Sequence, residues 1–80
     1  MSTASEKATG LKALAGEVMA LDVRGIEEAS LATMLELIAG GPLDTRVDCA
    51  TAELRLLDLA PLASPQHHEV YQRAVAILRA

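Results

Sequence analysis

Two adjacent histidines, His67 and His68, the only tyrosine, Tyr71, and the only cysteine, Cys49, are the side chains of this 80-residue chain that first suggest chemistry. Neighbours on a helix point about 100° apart, so His67 and His68 cannot hold one ion together, and a helical ligand pair needs a spacing of three or four. Four residues beyond His67 stands Tyr71, and four beyond His68 stands Gln72, which completes neither a zinc nor an iron site. We therefore expect no metal centre here, and read the histidines as polar residues in a first helical turn with His67 leaning on its neighbours. Cys49 needs an adjacent base or cation to become a nucleophile. Its own segment supplies Asp48 and Glu53, which have the wrong sign, so a packed small apolar residue is expected. There is no glycine-rich phosphate loop, no Ser-His-Asp order and no isolated carboxylate pair on an apolar face. No catalytic residue and no cofactor follow from these residues, and we expect no enzymatic activity by the chain alone.

Ser30 offers one more chemical reading. The stretch EEASLATMLEL places a serine and a leucine early in an acidic amphipathic segment, and it resembles the phosphopantetheine attachment region of acyl carrier proteins. That resemblance implies a carrier module with Ser30 as the attachment point, although Ala29 stands where carriers have aspartate. The segment AELRLLDLAPLASPQHHEVYQRAVAIL is similar to the helix junction of tetratricopeptide-type units, which implies a helical hairpin with a groove; a second copy of a 34-residue period is missing.

The elements that must position these residues are helices. Leucine and alanine dominate the apolar content, phenylalanine and tryptophan are absent, and strand-type alternation is rare, so the pattern predicts an all-α bundle of four short, mainly antiparallel helices in one domain spanning 1–80. The first is predicted over about 6–21, with Leu11, Leu14, Val18 and Leu21 as its stripe, widened by Ala15 and Met19. Thr3 with Glu6, or Ser5, can cap it, and Gly10 and Gly16 weaken it, which leaves residues 1–9 free to be disordered. The second is predicted over 26–39, with Ile26, Leu31, Met34, Leu35 and Ile38 on one side and Glu27 and Glu28 favoured by the helix dipole. Gly40-Gly41-Pro42 should stop it through a left-handed glycine cap. The third is predicted over 45–59 behind Asp44 or Thr45, and it carries two apolar stripes: Val47, Ala50, Leu54 and Leu57, and Cys49, Ala52, Leu56 and Leu59. The fourth is predicted over 65–79, with Ser64 as cap, Pro65 in the first position, and Val70, Ala74, Ile77 and Leu78 facing inward.

Composition then limits the function. The net charge is −4 and no basic stripe exists to neutralise phosphates, so nucleic-acid binding is not expected. A lone cysteine forms no internal disulfide, and no stretch reaches about 18 uninterrupted apolar residues. With no signal-like opening, a cytoplasmic protein that avoids membranes is expected. Yet 51% of the residues are apolar, more than a four-helix interior of this size uses. Leu37, Leu43, Leu56, Leu59 and Leu62 fall outside the cleanest stripes and are the expected partner-binding residues. The expected role is a small helical interaction protein, an adaptor, chaperone or homodimer, similar in size, acidity and helical content to small bacterial secretion chaperones. A carrier module and a small regulator acting through protein contact are the alternatives.

Overall fold

The computed structural model describes residues 3–20, 26–57 and 65–80, with side chains at all of these except 26–28, 57 and 65–68. Among the described residues four helices follow in order: α1 (Ala4–Met19), α2 (Ile26–Ala39), α3 (Arg46–Leu57) and α4 (Pro65–Arg79). The described residues form an all-α four-helix bundle, as the leucine and alanine periodicity predicts. Its radius of gyration is 11.7 Å, the value of about 12 Å characteristic of a compact chain of this length.

Local chemistry sets the helix boundaries. Thr3 and Glu6 form a reciprocal capping box: the Glu6 amide donates to Thr3 Oγ1 at 3.1 Å and the Thr3 amide donates to Glu6 Oε1 at 3.2 Å. Two otherwise orphaned donors are satisfied this way. Hence α1 starts at Ala4, and residues 4–9, which the glycines left free to be disordered, are helical. At the start of α3 the choice between Asp44 and Thr45 falls on Thr45, which exchanges the same pair of bonds with Asp48 at 3.0 and 3.1 Å. The end of α2 departs from expectation in its mechanism. Among the described glycines none has a positive φ; instead the Gly40 amide still donates to Glu36 O and the Gly41 amide to Ile38 O. Pro42 has no amide to continue the ladder and disfavours helical backbone at Gly41, which is enough to end the helix without a left-handed cap. The Ser64 cap, and residues 58 and 59 of the expected third helix, lie outside the described residues.

The core is aliphatic. Leu11, Leu14, Ala15 and Val18 from α1 meet Leu31, Ala32, Leu35, Ile38 and Ala39 from α2, Cys49, Ala52 and Leu56 from α3, and Ala74 and Leu78 from α4. Each leucine buried this way contributes about 1.5–3 kcal/mol. No charged or polar side chain is buried among the described residues. Of the α4 stripe Ala74 and Leu78 are buried as predicted, while Val70 and Ile77, with Tyr71, pack at the edge of the cluster. Met19, expected to widen the α1 stripe, is exposed instead, and Leu21 lies outside the described residues.

α1 packs on α2 and α4, and α3 closes the ring against the same two helices. Ile77 lies against Gly10 while Arg73 reaches Glu17, so α4 runs antiparallel to α1. Among the described residues, two bidentate ion pairs tie the helices at the surface: Arg73 holds Glu17 at 3.0 and 2.7 Å, and Arg79 holds Glu53 at 2.9 and 3.2 Å.

Candidate functional site

α3 separates its two apolar stripes to opposite sides. Cys49, Ala52 and Leu56 face the core. Val47, Ala50 and Leu54 face outward, with Val47 73% and Leu54 63% exposed. Spacings of three and four residues keep the outward three on one line, and seven residues of helix carry that line over about 10 Å. The exposed Arg46 and Arg55 border it on either side.

This arrangement corrects the residues expected to bind a partner. Leu56 is 0% exposed and Leu43 is buried, so both stabilise the bundle itself rather than offering a surface. Leu56 belongs to the inward stripe of a helix that is apolar on two sides. Leu43 follows Pro42 in the connection to α3 and turns back into the core. Leu37 is 61% exposed and remains available, whereas Leu59 and Leu62 lie outside the described residues. Val47 and Leu54, which were not among the residues expected to bind a partner, are exposed. Their stripe was visible in the sequence, but nothing there ranks one apolar side of the helix above the other.

A second feature joins the starts of α1 and α3. Lys7 Nζ donates to Cys49 Sγ at 3.5 Å, across 42 residues of sequence. The thiol in turn donates to Leu43 O at 3.7 Å. A cation therefore does reach Cys49, from α1 rather than from its own helix. Both residues occupy the same step of their helices: the Lys7 amide bonds to Thr3 O and the Cys49 amide to Thr45 O, each donor four residues beyond its capping threonine. The capping boxes thus fix the height of both side chains at one end of the bundle. They border a cleft of about 640 Å³ whose walls include Ala4, Leu43, Arg46, Leu78 and Arg79.

Comparison with protein-family models, curated proteins and solved structures finds no match.

Ser30 lies four residues after the first residue of α2 and is half-buried. The side chains of His67 and His68 lie outside those described. Among the described residues no three His, Cys, Asp or Glu side chains converge as a metal site, and no helix is long and apolar enough to cross a membrane. Hydrogen bonding from the Arg73 guanidinium holds the Glu17 carboxyl below the ordinary glutamate value, and burial opposes this. Arg79 is raised by its bonds to Glu53.

Proposed function

We propose that this chain is a small, non-enzymatic helical interaction module that buries the outward stripe of α3 against an aliphatic helix face of another protein, either a second copy or a different partner. The observation that carries the proposal is the exposure of Val47 and Leu54 on the side of α3 opposite the core. Covering what remains exposed of each of these side chains gains about 1–2 kcal/mol. A contact of this kind is a helix laid along anchors at i, i+3 and i+7. Stable interfaces bury about 1,000 Å² or more, so a partner must extend beyond a 10 Å stripe. The bordering Arg46 and Arg55 favour one with an acidic rim.

The test replaces Val47 and Leu54 with aspartate, singly and together. Wild-type protein is sized at rising concentration, and complexes are captured from its native host and sized in the same way. A dimer or a defined complex that the aspartate variants lose, with helical circular dichroism unchanged, supports the module. A wild-type chain that stays monomeric and captures the same proteins as the double variant removes the proposal.

A further inference from the structure

Cys49 has no second cysteine in the chain with which to form a disulfide, yet it has a primary amine 3.5 Å from its sulfur. We propose that Lys7 and Cys49 form a reversible oxidation-triggered cross-link, in which hydrogen peroxide is the oxidant and a sulfur–nitrogen bond joins α1 to α3. This inference is independent of the interaction surface on the outer side of α3.

The chemistry proceeds in two steps. The Cys49 sulfur attacks one peroxide oxygen, the O–O bond breaks, and the thiol becomes a sulfenic acid with release of one water. Lys7 first gives one ammonium proton to water; its amine then attacks that sulfur, the S–O bond breaks, and the departing hydroxyl leaves as a second water with a further proton from nitrogen. Sulfur is oxidised by two electrons, the peroxide is reduced by two, and the protein loses two hydrogens.

Three observations direct the sulfenic acid to Lys7. The usual condensation partners are another thiol or a neighbouring backbone nitrogen. A second thiol is absent from the chain, and the next amide, that of Ala50, is held inside α3. Cys49 is only 7% exposed, which disfavours a disulfide with a second copy, while the cleft beside it admits a molecule as small as peroxide. Lastly, the two capping boxes hold both residues four positions beyond their capping threonines, so the amine and sulfur stay in register, and the flexible four-carbon stem of lysine supplies the remaining approach.

α1 and α3 lie across the bundle from one another, and the bond would close a loop from residue 7 to residue 49. Constraining that much chain raises the melting temperature by more than about 10 °C.

The test treats the full chain with dilute hydrogen peroxide and reads its intact mass and tryptic map. The expected product is about 2 Da lighter, is not cleaved after Lys7, and yields residues 1–12 joined to residues 47–55. Excess thiol restores the original mass. Lys7→Arg keeps a cation at the site without the reactive amine, and its peptide 47–55, which contains no methionine, gains about 32 Da or more as Cys49 proceeds to the sulfinic acid. Oxygen addition on Cys49 with Lys7 still cleavable, a disulfide-linked dimer, or no reaction would each overturn the proposal. The wild-type map decides even if Lys7→Arg fails to fold.

Discussion

Glu17 and Arg73 meet on the surface between α1 and α4 through two parallel hydrogen bonds, and the carboxyl is held below its ordinary value. A carboxylate with a lower value in the folded state than in the unfolded chain stabilises the fold at pH values above its unfolded range. That contribution disappears as the pH falls through the folded value. The melting temperature of Glu17→Gln should therefore lie below that of wild type at neutral pH, and the difference should close as pH drops from about 4.3, the ordinary glutamate value, downward. Salt should narrow it as well, since both partners are solvent-exposed. A gap of the same size at acid and neutral pH would show that the substitution acts through something other than this pair. Lys7 and Cys49 teach a different lesson at this scale. Each is unremarkable in its own segment, and their pairing rests on a separation of 42 residues, which no local pattern encodes.

The helices show which parts of the fold were legible and which were not. Thr3 with Glu6 reads as a cap because the box needs only four consecutive residues. The α4 core stripe was readable because that helix has one dominant apolar side, and Leu11, Leu14 and Val18 of α1 and Leu31, Leu35 and Ile38 of α2 are buried as their spacing predicts. α3 has two apolar sides, of nearly equal hydrophobicity, and only the positions of α2 and α4 around it decide that Cys49, Ala52 and Leu56 turn inward. Leu56, expected at a partner, is buried for that reason, whereas Leu43 lies before α3 and is turned into the core by the connection after Pro42. The glycines of α1 illustrate the same dependence on neighbours. A Cβ added at Gly16 meets nothing within 4 Å, whereas one at Gly10 would sit 3.4 Å from Ile77 Cδ1 and Cγ2, the near limit of van der Waals contact. Gly16→Ala should thus stabilise the protein by about 0.5–1 kcal/mol. Gly10→Ala should gain at least as much, because its Cβ would rest against Ile77 at ordinary contact distance. Denaturant titration of both variants checks this, and a loss of stability at Gly10 would contradict the spacing of α4 from α1.

At the scale of the whole molecule the margin is small. A chain of this length has a total stability of about 4–12 kcal/mol, supplied by an aliphatic core in which Leu11, Leu14, Leu35, Leu56, Leu78 and Val18 are the largest fully buried side chains. Leu56→Ala removes about 2–5 kcal/mol, so its melting temperature should fall by about 10 °C or more. Leu37→Ala, at an exposed position, should stay within about 0.5 kcal/mol of wild type. Equal losses at the two sites would mean that α2 and α3 do not present these leucines as described. The lone aromatic ring has a practical consequence for all such measurements. Tyr71 sits on α4 at the border of the core, and the chain has no tryptophan or phenylalanine. Its intrinsic fluorescence and near-ultraviolet dichroism therefore come from a single ring, and they report when α4 detaches, while far-ultraviolet signals average over the four helices. Comparing the two separates the departure of one helix from the melting of the bundle without any introduced label.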